Sequence, residues 1–382
     1  MTLLDRLSTG WKPWFVLFIL TFGAAAPGVF NLPALDRDES RFAQASKEML
    51  EEKDYIRIQY QDELRNKKPA GIHWLQAAST AVFTGPEAKQ IWTYRVPSWL
   101  GAAFGTLACF WTGLVLVGRR ASFVGSALFG ATLLLTSEAH ISKTDGMLVF
   151  LTTLSIGALA RLYMRRDQSK KMALLFWFCM GATDGQYIKG AVGKDLKDKF
   201  TGASEGHGGW PFYHLTHIPV WFFPASLFII PGFMAAWKTL KPIKPQGVAW
   251  LKHVTLVGAA LFAVLLALSY LLPYLPRPEG TGLVPRSLNT LATLKPLPAW
   301  PALLLVFFWW SSGRDKWMST HPVGEFVIPE ETRAIRMIVA WAVLTYAFFE
   351  LMPTLLSHYI LPAYPALGLL AGLVTGLGLK GL

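Results

Sequence analysis

Cysteine is almost absent from this chain. Its two cysteines, Cys109 and Cys179, both lie inside apolar segments, which argues against a disulfide framework and against a zinc site. Charge is scarce as well. Only 16% of the 382 residues are Asp, Glu, Lys or Arg, against roughly 25% in soluble domains. Acidic residues are the scarcer sign, 24 against 36 basic ones, for a net charge of +12. A basic balance of this size raises nucleic acid as a partner. The lysines and arginines, however, sit in short loops between apolar runs, the pattern of cytoplasmic loops in membrane proteins. Nucleic acid is therefore set aside.

Apolar surface is abundant. Hydrophobic residues make up 53% of the chain, with 16 Trp and 25 Phe, which suits aromatic belts at bilayer interfaces. A bilayer core of about 30 Å needs about 20 apolar residues per helix. Candidate spans are 13–33, 95–117, 121–137, 146–164, 172–184, 212–237, 248–271, 297–311, 333–351 and 358–379. Segment 172–184 is short for a span, which reads either as a re-entrant segment or as the mark of a missing piece. The start of the chain resembles a signal peptide, with Arg6 and Lys12 before an apolar run and Ala24-Ala25-Ala26 as a cleavage-like site. Many later spans favour a retained signal-anchor helix instead. The fold class expected is all-α: a polytopic membrane protein of about ten transmembrane helices, organised as one domain over 1–382.

The basic residues set the orientation. Arg119-Arg120, then Arg161 to Lys171, then Lys238 to Lys244, then Arg314 to Arg336 all fall on one side if the N-terminus is inside. The segments 34–94, 138–145, 184–211, 272–296 and 352–357 then face outward. The first of these is charged and patterned. From Glu39 to Leu50, Phe42, Ala45, Met49 and Leu50 recur at helical spacing, with Arg41, Gln44, Lys47 and Glu48 opposite, as in a helix lying on the membrane surface. Asp36 and Glu39 have the spacing of a capping box. Ile72 to Phe83 is a second apolar helix, too short to span, placed flat at the interface after Pro69.

The order Asp38-Glu39, Arg41, Glu48-Met49-Leu50, Asp54-Tyr55, Lys68-Pro69 and Trp74-Leu75 resembles the first periplasmic loop of the aminoarabinose transferase and protein O-mannosyltransferase superfamily, integral membrane glycosyltransferases of the GT-C class. Lys143-Thr144-Asp145, Glu205-Gly206-His207-Gly208-Gly209 and His358-Tyr359-Ile360-Leu361-Pro362 extend the resemblance, which covers about 13–240 and 329–379. The chain departs from the family at Ala70, where a second proline is usual, at Lys67, where some relatives have an acid, and at Leu355 and Ser357 in the late motif. The family's Lys-Gly-Pro turn has no counterpart, and 243–328 match nothing in the family.

The resemblance implies a sugar donor on a polyprenyl phosphate, a periplasmic active site at the inner membrane, and a lipid A, lipid-linked glycan or protein acceptor. It makes Asp38 the general base, with Asp145 as the second catalytic acid. It makes Lys68 and Arg41 the cations for the donor phosphate, and Glu39, Glu205, His207, His358 and Tyr359 substrate contacts. Each has a simpler reading. Asp38 and Asp145 sit where helix caps belong, Lys68 where a lysine snorkels to headgroups, and His358 and Tyr359 where interfacial anchors lie. Glu39 fits first-turn helix support. Glu205 and His207 are half of a divalent-metal site at most, so no metal site is assigned. Two other functions stay open: a non-catalytic lipid-binding or assembly protein on this scaffold, and a transporter. Acids gathered in outward loops rather than at the midplane argue against transport.

Overall fold

The computed structural model describes residues 3–34, 36–61, 63–64, 70–85, 90–184, 213–240, 330–350 and 356–377. Among these, the chain is helical apart from one two-residue hairpin, β1 (Gln59–Tyr60) against β2 (Glu63–Leu64). The helices are α1 (Leu3–Leu7), α2 (Lys12–Asn31), α3 (Arg37–Glu52), α4 (Ala70–Phe83), α5 (Ile91–Leu116), α6 (Gly118–Gly130), α7 (Leu133–Ala139), α8 (Asp145–Tyr163), α9 (Lys170–Asp184), α10 (Tyr213–Trp221), α11 (Ile229–Leu240), α12 (Glu330–Glu350) and α13 (Tyr364–Leu377). A 3-10 turn, Ser357–Ala363, leads into α13.

Five of these segments are long and apolar enough to cross a membrane, α2, α5, α8, α12 and Ser357–Thr375, at the places expected of 13–33, 95–117, 146–164, 333–351 and 358–379. The expected spans 121–137 and 212–237 are each broken in two. α6 and α7 meet at 58°, and α10 meets the Ala225–Ala236 segment at 113°. Helix α9 occupies 172–184 and has 15 residues, short for a span. The expected spans 248–271 and 297–311 lie outside the described residues, as does most of the 184–211 loop.

Helix α5 is the centre of the bundle. Of its apolar window 67% is buried, against 28% for α2, whose Phe15, Ile19, Leu20 and Phe30 face outward as lipid-facing side chains do. In a bilayer, helices attract mainly by close packing, so small residues line the seams. Gly101 and Gly146 bring α5 and α8 together: a Cβ on Gly101 meets the Gly146 carbonyl carbon at 2.6 Å, and one on Gly146 meets the Ser98 carbonyl. Gly125 and Gly368 do the same for α6 and α13. The Gly146 seam sets the start of α8, where Asp145 lies. Gly146→Ala is expected to lower the thermal midpoint in detergent by the equivalent of about 1–3 kcal/mol, because the facing group is backbone. An unchanged midpoint would mean that the seam can open without loss.

Ion pairs sort the loops into two ends. Asp5 pairs with Arg120, and Arg166 with Glu330, so the N-terminus, the α5–α6 turn, the α8–α9 loop and the start of α12 share one end. Asp36 pairs with Lys143 at the other end, where His358 also lies near Glu138. This is the division that the basic residues of the sequence lead one to expect.

Candidate functional site

The site grows from the junction between α2 and α3. Helix α2 ends at Asn31, leaving carbonyls without intrahelical partners. Arg95, near the start of α5, meets them. Its Nη1 donates to the carbonyls of Val29 (3.0 Å) and Leu32 (2.7 Å), and its Nη2 to that of Pro33 (2.8 Å). The other edge of the same guanidinium grips Glu39, with Nε to Oε1 at 2.7 Å and Nη2 to Oε2 at 3.1 Å. Both side chains are fully buried. A buried pair is tolerable only when its donors and acceptors are satisfied. Here the arginine fork is filled, and Glu39 Oε1 also accepts from the Ser142 N–H at 3.0 Å.

Glu39 therefore holds structure together. The sequence placed it among substrate contacts or as support for the first turn. Its carboxylate is taken by α5 and by the loop before α8. The capping box is only half realised. Asp36 is the N-cap of α3, but its Oδ1 accepts from the N–H of Asp38 at 3.0 Å, and Glu39 does not reach back to it. The cap being Asp36, the helix-cap reading of Asp38 falls away.

The loop between α7 and α8 is sewn down on several sides. Ser46 of α3 donates to Gln76 Oε1 at 2.7 Å, and Gln76 Nε2 donates to Ser142 Oγ at 2.8 Å. His73 Nδ1 lies 2.9 Å from the same Ser46 hydroxyl, which gives this histidine a structural place. Ser98 Oγ donates to the Lys143 carbonyl at 2.8 Å. Helix α4, expected flat at the interface, packs on α3 through Ala77 with Ala45 and Met49. Trp74 lies exposed, its indole N–H on the Tyr55 carbonyl at 2.6 Å, so it fastens the loop it belongs to.

These fastenings bring together side chains far apart in sequence. Asp38 is about half exposed, with Oδ1 3.4 Å from Arg41 Nη1. Asp36 Oδ2 pairs with Lys143 Nζ. Asp145 opens α8, where a negative charge suits the helix N-terminus. Glu138, at the end of α7, is 5% exposed; its Oε1 lies 3.8 Å from His358 Nδ1, and its Oε2 is buried with no hydrogen-bond partner. Tyr359 follows His358 in the 3-10 turn, against Phe349. Of the expected site residues, Asp38, Arg41, Asp145, His358 and Tyr359 thus belong to segments that close the same end of the bundle. Lys68, Glu205 and His207 lie outside the described residues. Among the described residues no group of three His, Cys, Asp or Glu is arranged to hold a metal ion.

Sequence reasoning gave Asp36 only a capping role and gave Arg95, Glu138 and Lys143 none of their own. Arg95 carried a signal, as a lone charge at the head of an apolar run. Lys143 stood inside the quoted Lys-Thr-Asp motif.

Burial works against the Asp36 carboxylate, but the Lys143 hydrogen bond, the Asp38 N–H and the lysine's charge outweigh it and hold the carboxyl below its ordinary range. Burial likewise works against the Lys143 ammonium, but Asp36, Glu138 and Asp145 outweigh it and hold the group above its ordinary value. The stabilisation from Asp36 is therefore full above its unfolded pKa of about 3.9 and lost as pH falls through a lower folded value. That from Lys143 is full below about 10.4 and lost as pH rises through a higher one. Across the neutral range the pair is intact. Asp36→Asn should lower the thermal midpoint at pH 7, by the equivalent of about 1 kcal/mol for a partly exposed pair. The difference from wild type should shrink at strongly acid pH. A difference that persists there would assign the effect to the cap alone.

No family model matches this chain. A curated relative, the undecaprenyl phosphate-alpha-4-amino-4-deoxy-L-arabinose arabinosyl transferase 2 of Pseudomonas fluorescens (strain Pf0-1), is 28% identical over 149 residues, 39% of this chain and 26% of the relative. Two solved structures of ArnT from Cupriavidus metallidurans are similar at 17% identity. The apo form has a TM-score of 0.50 over 94% of this chain and 59% of that one; the form bound to undecaprenyl phosphate has 0.51 over 95% and 60%. The chain thus spans about a quarter of the curated relative's length and three-fifths of the solved ones'. The likeness shows the fold, that of a polytopic helical membrane protein.

Proposed function

We propose that this protein transfers a sugar from a polyprenyl-phosphate donor to an acceptor at the periplasmic face of the inner membrane. The observation that carries the reading is convergence. The first loop, the start of α8 and the last 3-10 turn bring Asp38, Arg41, Asp145 and His358 to one end of the bundle. The solved structure of similar fold bound to undecaprenyl phosphate supports the donor class. The relative's printed name makes an undecaprenyl-linked aminopentose one candidate donor.

In this reading the acceptor oxygen attacks the anomeric carbon while the bond from that carbon to the donor phosphate breaks. The bonding pair leaves with the phosphate, and Arg41 and Lys68 meet its charge. Asp38 orients the acceptor and begins removal of its proton; Asp145 is the second acid facing the substrate. Direct attack inverts the anomeric configuration. Domain organisation follows: one transmembrane domain over 1–382, with 34–94 as the catalytic loop and 184–211 as a second outward loop.

The departures at Ala70 and Leu355 favour one other reading: a lipid-binding scaffold without turnover. Purified protein supplied with undecaprenyl-phosphate pentoses and hexoses and with lipid A decides between them. Donor-dependent glycosylated product supports the transferase. Retention of undecaprenyl phosphate with no product from any donor supports the scaffold.

A further inference from the structure

The outward ends of α10 and α12 meet the last 3-10 turn at one buried histidine. Glu350 is the last residue of α12, where the helix dipole disfavours a carboxylate. Its partner stands on another helix. His214, the second residue of α10, is fully buried. Glu350 Oε2 accepts from its backbone N–H at 3.1 Å and lies 2.9 Å from its Nδ1. On the far side of the ring, Nε2 lies 3.0 Å from the Leu356 carbonyl. That carbonyl also accepts from the Tyr359 N–H at 3.0 Å, at the start of the turn Ser357–Ala363. One imidazole thus ties the start of α10, the end of α12 and the start of the turn.

A carbonyl oxygen only accepts, so Nε2 carries a proton. Contact between Nδ1 and a carboxylate oxygen needs a second proton between the two atoms, whichever of them holds it. The pair therefore keeps one proton more than a neutral imidazole beside a carboxylate. Without it, either tautomer turns a nitrogen lone pair on an oxygen. A net negative charge would also be left in a dry place, where Glu350 Oε1 and the Tyr346 hydroxyl are already buried without hydrogen-bond partners. We propose that His214 and Glu350 are positioning residues, a clasp closed by their shared proton, that hold the last outward turn, and with it His358 and Tyr359, in place for transfer. The use of the turn in transfer rests on the transferase reading; the clasp itself does not. It is closed at low pH and opens as pH rises.

Other ionisable groups stand near. Tyr213 sets its ring against His214 at 5.2 Å, and His217 Nδ1 lies 2.7 Å from the Tyr213 carbonyl. Helix α13 brings Tyr364, α8 brings Asp145, and Arg95 of α5 is committed to Glu39. Glu138 of α7 and His358 of the turn lie 3.8 Å apart. Titration of that second pair would also loosen the turn, so the decisive variant leaves it intact.

The test is amide hydrogen exchange, read by mass spectrometry on the full-length protein in detergent from about pH 6 to about pH 9, where an imidazole–carboxylate pair gives up a proton. Protection of 356–363 is taken relative to the unfolded chain at the same pH. In the wild type it should fall about tenfold across the range, the loss of one buried hydrogen bond, while that of α5 stays level. Glu350→Gln should abolish the dependence, because an amide accepts from a protonated ring and, turned over, donates to a neutral one. His214→Phe should lower protection at every pH. If Glu350→Gln does not fold, Glu138→Gln, which should leave the dependence in place, separates the two pairs. Protection that does not change with pH in the wild type, or a dependence that survives in Glu350→Gln or disappears in Glu138→Gln, overturns the clasp. Transfer from undecaprenyl-phosphate sugars to lipid A is the second readout. Wild-type kcat should fall at high pH together with the protection of the turn, with donor KM changed by less than about threefold, as for a misplaced group rather than a lost binding contact. Glu350→Gln should flatten that fall. A turn that loosens while kcat holds overturns the positioning role. Absence of wild-type turnover with every donor overturns the transferase reading and leaves the exchange result to decide the clasp.

Discussion

Replacing Arg95 with alanine should destabilise the folded protein by about 3–5 kcal/mol, the loss typical of breaking a buried ion pair on one side. The loss has two sources. Glu39 would remain fully buried with its guanidinium partner gone, keeping only the Ser142 N–H among its strong contacts described above. The carbonyls of Val29, Leu32 and Pro33 would also lose their donor at the end of α2. Arg95→Lys should recover little, because one ammonium cannot fill a fork that spans a carboxylate and three carbonyls. Thermal unfolding in detergent gives the comparison. A lysine variant as stable as wild type would mean that charge alone, not planar geometry, holds the α2–α3 junction. Transfer should fall with stability in both variants, since Asp36 and Asp38 sit on that junction.

Asp38→Asn should lower kcat by about 100-fold to 10,000-fold, the range for removal of a general base. Folding should be nearly unchanged, because the side chain is about half exposed and the cap of α3 is Asp36. Retention of undecaprenyl phosphate by the variant separates lost chemistry from lost binding. Asp36→Asn makes the contrast: stability falls there, through the lysine pair. Near-normal turnover of Asp38→Asn would remove Asp38 from the chemistry.

Much of the bundle was legible because a bilayer allows few arrangements. Twenty apolar residues in a row leave the backbone one way to satisfy itself. α2, α5, α8, α12 and the last span accordingly fall where hydropathy puts them. The surface helix α3 was legible from the spacing of Phe42, Ala45 and Met49. What was not legible depends on partners distant in sequence. Glu39 looks like half of a capping box because Asp36 stands three residues before it. Its actual partner, Arg95, lies 56 residues on. Lys143 and Glu138 are only members of the 138–145 loop until the fold sets them beside Asp36 and His358. The bends after α6 and α10 leave no mark on hydropathy, because both halves of each segment are apolar. The hairpin Gln59–Tyr60 with Glu63–Leu64 is too short for a period-two pattern to show.

The Arg95 clamp also orders events at the ribosome. Glu39 leaves the ribosome 56 residues ahead of Arg95 and 103 ahead of Ser142. A carboxylate cannot settle in a dry interior ahead of its counter-ion. The start of α3 must therefore wait, hydrated and undocked, until α5 is in place. It is fastened a second time as the α7–α8 loop emerges, and the 3-10 turn bearing His358 follows much later. This end of the bundle is thus assembled in chain order, and its first-made segment is the one that waits longest for its partners.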